Sequence, residues 1–204
     1  MINVLVHVTA GALGLLLGIA LLYLPKGTPR HRQLGKVFGG VAGVVCLSAW
    51  VGTIFFRFVP VFATLSLLVT YLVLGGWRVV YTQERGPAVW DAVLTAAAMA
   101  GTAILVPVLT KADTGQGSSA PVVFATLGAV AVIILFDIAK WYFPRRWHAK
   151  LWRYEHMYKL VSALSGMASA AVGNVFHTVS AQLLPSAIGT GVIALLFWRE
   201  YRRS

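Results

Sequence analysis

Acidic residues and cysteines are scarce in this chain, and their scarcity limits what the protein can be. The 204 residues include six Asp and Glu and one cysteine, Cys46, against 17 Lys and Arg. One cysteine provides neither a disulfide framework nor a Cys-rich metal cluster. Charged residues make up 11% of the chain and hydrophobic residues 58%, whereas soluble domains have about 25% charged residues. The chain is therefore expected to have the lipid bilayer as its solvent.

Several familiar site motifs are also missing. The sequence has no HExxH, CxxC, GxGxxG, Walker phosphate loop or GxSxG, which argues against an ATPase or a soluble-type hydrolase. No two histidines are four residues apart, as zinc-binding seven-helix hydrolases require, and no lysine lies in 184–198, where a retinal protein needs one. The net charge of +11 does not indicate a nucleic-acid partner, because the basic residues flank apolar runs, where anionic lipid headgroups and topology explain them.

Seven apolar runs are long enough, or nearly so, to cross a bilayer, which takes roughly 20 helical residues. They leave no room for a separate soluble domain, so residues 1–204 are predicted to form a single integral membrane domain. The predicted spans are 3–24, 37–56, 61–80, 90–109, 122–138, 157–176 and 184–198.

Positive charges set the predicted orientation of these spans. Fifteen of the 17 Lys and Arg residues lie in every second gap, and only Arg57 and Lys111 lie in the others. Because short cytoplasmic loops are rich in Lys and Arg, the N-terminus is predicted outside and the C-terminus in the cytoplasm of a bacterial inner membrane. The first run has no preceding basic residue or cleavage site, so it is expected to be a retained span.

An all-α bundle is predicted, because hydrocarbon requires internal backbone hydrogen bonds and the runs lack a period of two. Small residues such as Gly14, Gly18 and Gly39 are spaced for close helix packing. Segment 139–156 interleaves aromatic and basic residues, which favours an interfacial amphipathic helix between the fifth and sixth spans. An alternative is that this segment caps a pocket on the inner side.

Histidines are the main candidate ligands, since imidazole binds metal or haem and transfers protons. Two groups are conceivable. The outer one pairs His7 with His177 near Asn174, and an inner one draws on residues near the cytoplasmic ends of spans. The candidate haem or cofactor ligands are His7, His31, His156 and His177, and the candidate metal ligands are His31, His156, Glu155 and Asp137, with Asp91 a further possibility.

The inner carboxylates also have a simpler interpretation. Asp137 and Lys140 are three residues apart and Glu155 and Lys159 are four apart, which is the spacing of ion pairs on a helix surface. Local pairing is thus the alternative to a proton or metal role.

Several motifs resemble the bacterial membrane-protein family known as domain of unknown function 2306. The shared pattern is a histidine and glycine early in the first span, Lys-Gly and His-Arg-x-x-Gly in the first inner turn, Gly-Trp-Arg after the third span and His-Met-x-(Lys/Arg) later. Here these are His7, Gly11, Lys26, Gly27, His31, Arg32, Gly35, Gly76, Trp77, Arg78, His156, Met157 and Lys159. The resemblance implies a membrane protein and directs attention to His7, His31 and His156, but it supplies no activity.

Three functions are compatible with these features. The leading hypothesis is a protein that binds haem b or another metal through histidines at helix ends for membrane electron transfer. The second is a small transporter or channel in which Asp137, Glu155 and His156 handle protons or a cation. The third is a non-catalytic membrane subunit that packs beside a partner complex or a second copy through glycine-rich faces. Membrane lipids with anionic headgroups are expected partners in each case.

Overall fold

A computed structural model describes residues 1–111 and 120–203, and these parts of the chain contain seven long α-helices and no β-strand. Six of the helices are long and apolar enough to span a membrane, as expected for an integral membrane protein. The helices are α1 (Ile2–Tyr23), α2 (Pro29–Val51), α3 (Pro60–Thr82), α4 (Val89–Lys111), α5 (Ala120–Ala139), α6 (Arg145–Phe176) and α7 (Val179–Tyr201).

Helix α3 lies at the centre of the bundle. Its residues are the most buried of the six apolar helices, whereas α1 and α7 expose most of their surface. Such exposed apolar surface suits lipid contact. Two groups of buried side chains form the core, one around Leu72 and Ile133 and one around Ala63 and Val123.

Helix α6 differs from the other six long helices of the described chain, because it is not apolar enough to be a candidate membrane span by composition alone. It nevertheless packs antiparallel to α3. Gly166 of α6 is next to Val69 of α3, whereas Leu160, earlier in α6, is next to Gly76, later in α3. It also packs extensively against α7. A helix covered by its neighbours needs less apolar surface than one that faces lipid.

Two helix boundaries differ from the sequence prediction. The amphipathic segment is not a separate helix, because residues 145–156 form the first third of α6 and continue without a break into the predicted sixth span. Only a short 3₁₀ turn, Lys140–Tyr142, separates α5 from this region. Helix α2 begins at Pro29, eight residues before the predicted span, because Thr28 caps it through a hydrogen bond from the His31 amide. Arg30, Arg32 and Lys36 therefore lie on α2, whereas Lys26 precedes it.

Candidate functional site

A groove with apolar walls and a basic mouth lies between α1, α2, α3 and α6. Its volume is about 270 Å³. The polar lining residues gather at the end where the chain turns from α1 into α2, and none of the described Asp and Glu residues lines the groove. The apolar walls include Leu21, Leu22, Phe38, Val73, Leu160, Val161 and Leu164, and the mouth is formed by Lys26, His31, Arg32, Lys36 and His156.

Glycines determine how closely the walls of the groove approach each other. A Cβ on Gly39 would lie 2.9 Å from atoms of the Trp77 ring, so the absence of a side chain lets the indole pack onto α2. A Cβ on Gly18 would likewise clash with Leu164 Cδ1, so the absence of a side chain lets Leu164 pack onto α1. Both glycines and their neighbours line the groove. Small residues thus shape the site as well as holding the helices together.

The cations at the mouth have no carboxylate partners. Among the described residues, none of the ion pairs includes Lys26, Arg32 or Lys36. The first turn of α2 contains no acidic residue, although the positive end of the helix dipole favours negative charge there. The mouth therefore combines unneutralised side chains with a helix N-terminus, and both attract an anion.

Lys26 lies at the junction between α1 and α2. Its ammonium group donates hydrogen bonds to the carbonyls of Leu21 and Leu22 at 2.7 and 3.0 Å, which caps the last turn of α1. Partial burial and the positive charge of Arg199 lower the pKa of Lys26 from its ordinary value. Lys26 is thus already repelled by a neighbouring positive charge, and a bound anion would offset this repulsion.

Two of the predicted histidines meet at this mouth. His31 and His156 both line the groove, His31 from α2 and His156 from α6. The Nδ1 of His156 lies 3.0 Å from the Gly76 carbonyl oxygen, and because a carbonyl only accepts, this nitrogen carries the proton. Nε2 of His156 is then the nitrogen left to bind a ligand. The Nδ1 of His31 is buried and has no hydrogen-bond partner in the described structure.

The other two candidate cofactor ligands lie elsewhere. The Nδ1 of His7 is 2.9 Å from the Ser48 hydroxyl, and Asn3 donates to the Ser48 carbonyl at 3.1 Å, so these side chains link α1 to the far end of α2. His177 is exposed and ends α6 in a left-handed conformation, with φ of 53°. Neither residue lines the groove.

Asp137 and Glu155 belong to a buried ion cluster that also contains Lys140 and Lys159. Lys159 Nζ lies 2.8 Å from Asp137 Oδ1 and 2.7 Å from Glu155 Oε1. Lys140 Nζ lies 3.0 and 2.7 Å from the same two oxygens. Each ammonium thus contacts both carboxylates, and the four formal charges cancel. The local pairs predicted from spacing are confirmed, but they are joined across α5 and α6 into one cluster.

Further hydrogen bonds tie this ion cluster to α3 and α4. Tyr71 donates to Asp137 Oδ2, and its hydroxyl lies 3.1 Å from that of Thr95, which in turn donates to the Asp91 carbonyl. Asp91 itself is paired with Arg78 at 3.1 and 3.2 Å. Every carboxylate proposed for the inner site is therefore already bound to a base.

The proposed inner metal ligands are consequently divided between two places. His31 and His156 lie at the groove, whereas Glu155 and Asp137 are held by lysines in the ion cluster. Within the described residues, no group of three or more His, Cys, Asp or Glu side chains is arranged to hold a metal ion. The metal and haem assignments of these residues stay predictions.

The sequence prediction left out Lys36 and Trp77 as site residues, and it explained Arg32 by topology in preference to contact with a phosphate or lipid headgroup. Positive charge at cytoplasmic span ends explained the two cations without a site, and only their position around a common groove distinguishes them. Trp77 belongs to the Gly-Trp-Arg motif, which by itself assigns it no ligand contact.

No family model matches the chain, and no curated protein or solved structure matches it. The resemblance to domain of unknown function 2306 stays a prediction.

Proposed function

We propose that this protein is an integral membrane protein that binds one amphiphile with an anionic headgroup in the groove, from the inner leaflet of a bacterial inner membrane. The observation that carries the proposal is the composition of the groove. Apolar side chains line its length, and three cations surround its mouth; within the described parts of the chain these cations have no carboxylate partner and no acidic residue lines the groove. An amphiphile with an apolar chain and a negative head complements both parts.

Size and position support the same function. The volume of about 270 Å³ is near the lower end of the roughly 300–1,000 Å³ typical of small-molecule sites. The mouth lies at the basic ends of the helices, which the positive-inside rule assigns to the cytoplasmic face. Anionic lipids of that leaflet are attracted by each nearby Lys or Arg with about 1 kcal/mol. The groove adds a defined apolar space to this general attraction.

The test is native mass spectrometry of the detergent-purified protein, which counts the lipids that remain bound. In the double variant Arg32→Gln/Lys36→Gln, the fraction carrying one anionic lipid should fall at least about tenfold, as expected from losing two charge-assisted contacts. The matched control is Arg30→Gln/Arg146→Gln, which removes the same charge from exposed positions outside the groove. Equal losses in both double variants would show that general surface attraction suffices and would contradict the proposal.

Haem b is the second candidate occupant, favoured by the presence of His31 and His156 in one groove. The hydrogen bond from His156 Nδ1 to the Gly76 carbonyl leaves Nε2 free, as in metal-ligating histidines held by an outer partner. Cations at the mouth suit the propionates of a haem. A Soret band that shifts on reduction and is lost in His156→Ala but not in His177→Ala would establish this occupant and electron transfer as the function. A colourless, metal-free protein expressed with haem available excludes it.

The other two hypotheses from the sequence, a transporter or channel and a membrane subunit, each have one structural feature in their favour. A proton or cation route through Asp137 and Glu155 has one supporting feature, a space of about 10 Å³ beside Lys140, Glu155 and His148, which is close to the room that one water needs. Both carboxylates are neutralised by lysines, which weighs against cation binding.

A role as a subunit beside a partner complex, or as a homo-oligomer, has support only from the exposed apolar faces of α1 and α7, which lipid also satisfies.

A further inference from the structure

We infer that the preferred headgroup is a terminal phosphate, so that the occupant of the groove is a lipid phosphomonoester and not a phosphodiester lipid. This inference rests on the proposed function and narrows it to one chemical class of ligand. It is carried by the number of cations at the mouth and by the two imidazoles that stand among them.

The charge at the mouth exceeds what a single negative charge would balance. Lys26, Arg32 and Lys36 line it without carboxylate partners, and Arg199 acts electrostatically on Lys26. A phosphomonoester carries about −1.5 to −2 charges near pH 7, whereas a diester carries one. Its three terminal oxygens can also accept from several donors at once, which suits cations spread over the α1–α2 turn and the first turns of α2.

The two imidazoles at the mouth favour a phosphomonoester over a phosphodiester because of the hydrogen bonds that its head can make. A phosphomonoester near neutral pH retains a proton part of the time, so its head both donates and accepts hydrogen bonds. His156 Nε2 is the proton-free nitrogen of a ring fixed by the Gly76 carbonyl, and it accepts from a P–OH group. His31 lines the same mouth, so its imidazole is a second group there that donates or accepts a hydrogen bond according to its tautomer.

The apolar part of the ligand is fixed by the walls. Leu164 on α6 packs against Gly18 on α1, and Leu160, Leu22 and Val73 line the groove with them. Leu22 and then Gly18 on α1, and Leu160 and then Leu164 on α6, lie progressively farther along their helices from the mouth residues Lys26 and His156. A hydrocarbon chain is therefore expected to follow α6 away from the headgroup, and free phosphate is expected to bind far more weakly because it leaves this surface unfilled.

The experiment compares four ligands with the wild-type protein by native mass spectrometry at equal concentration. They are phosphatidate, phosphatidylglycerol and phosphatidylcholine with identical chains, and inorganic phosphate. Phosphatidate should bind at least about tenfold more tightly than phosphatidylglycerol, because it offers additional charge-assisted hydrogen bonds. Phosphatidylcholine and inorganic phosphate should bind more weakly still.

Two variants show whether the imidazoles produce the preference. The ratio of phosphatidate to phosphatidylglycerol affinity should fall toward one in His31→Gln/His156→Gln and stay unchanged in the control His177→Gln, which lies outside the groove. Equal binding of the two anionic lipids by the wild type, both above phosphatidylcholine, would overturn the phosphomonoester while leaving the proposed function in place. Equal binding of all three lipids would overturn both.

Discussion

Individual charged residues in this protein fall into two populations, those that are neutralised inside the bundle and those that are not. Four of the six acidic residues, Asp91, Asp137, Glu155 and Glu200, form ion pairs with bases away from the groove. The cations around the groove have no such partners among residues 1–111 and 120–203. In a chain with so few carboxylates, this separation leaves positive charge at one place, and that is the electrostatic basis of the proposed ligand.

The ion cluster should be essential to the stability of the fold. In Asp137→Asn, Lys140 and Lys159 both lose one of two carboxylates in a buried site, so the free energy of unfolding should fall by about 3–5 kcal/mol. The measurement is thermal or denaturant unfolding of the detergent-solubilised protein. Glu200→Gln is the control, because it breaks the pair with the exposed Arg153, and should cost about 0–1 kcal/mol. Similar losses in the two variants would contradict the importance of the buried cluster.

Sequence spacing predicted only part of this arrangement. The pairs Asp137 with Lys140 and Glu155 with Lys159 follow from positions three and four apart on a helix, and both form. The contact between Lys159 and Asp137 joins residues 22 positions apart on different helices. That contact depends on how α5 and α6 each pack against α3, which one sequence does not specify. The same limit explains why His31 and His156 were named as candidates without evidence that they share a site.

At the scale of helices, close packing depends on particular glycines and not on every small residue. The spacing of Gly35, Gly39 and Gly43 predicted a contact face on α2, yet only Gly39 meets a neighbour within 4 Å of an added Cβ. On α1, Gly14 and Gly18 meet α6 side chains whereas Gly11 meets none. Periodicity therefore predicted the face of each helix, but which glycine makes the contact depends on the partner side chain.

Gly39 and its neighbour Gly40 provide a matched pair of substitutions. In Gly39→Ala, the new methyl would lie 2.9 Å from the Trp77 ring, so the indole must move and the free energy of unfolding should fall by about 1–3 kcal/mol. Because Trp77 lines the groove, retention of anionic lipid should fall as well. In Gly40→Ala, nothing lies within 4 Å and neither quantity should fall. Unfolding curves and native mass spectra of both variants measure this, and equal behaviour would refute the proposed role of Trp77.

The described residues form a helical bundle held together in part by side-chain contacts between consecutive helices. His7 with Ser48, Trp50 with Thr70, and Arg153 with Glu200 join α1 to α2, α2 to α3, and α6 to α7. Sequence composition predicted the helical membrane fold because hydrocarbon permits few alternatives. The exact start of α6 was not predictable, because its charged first third lies outside the apolar run that marks the span.

The crossing of the membrane by α6 is testable by labelling. In a Cys46→Ser background, Thr178→Cys, between α6 and α7, should react with an impermeant maleimide in intact cells, because that end is predicted outside. Arg146→Cys, at the start of α6, should react only after permeabilisation. Labelling of both positions under the same condition would mean that α6 does not cross and would contradict the seven-span topology.

The central claim is that the groove holds the chain of an anionic lipid, and photocrosslinking tests it most directly. A phosphatidate with a diazirine in its acyl chain is irradiated with the purified protein, and the modified peptides are identified by mass spectrometry. The account predicts adducts at groove residues such as Leu21, Leu160 and Leu164, which excess unlabelled phosphatidate removes. Adducts confined to exposed positions such as Leu16 and Ile188, and insensitive to competition, would contradict it.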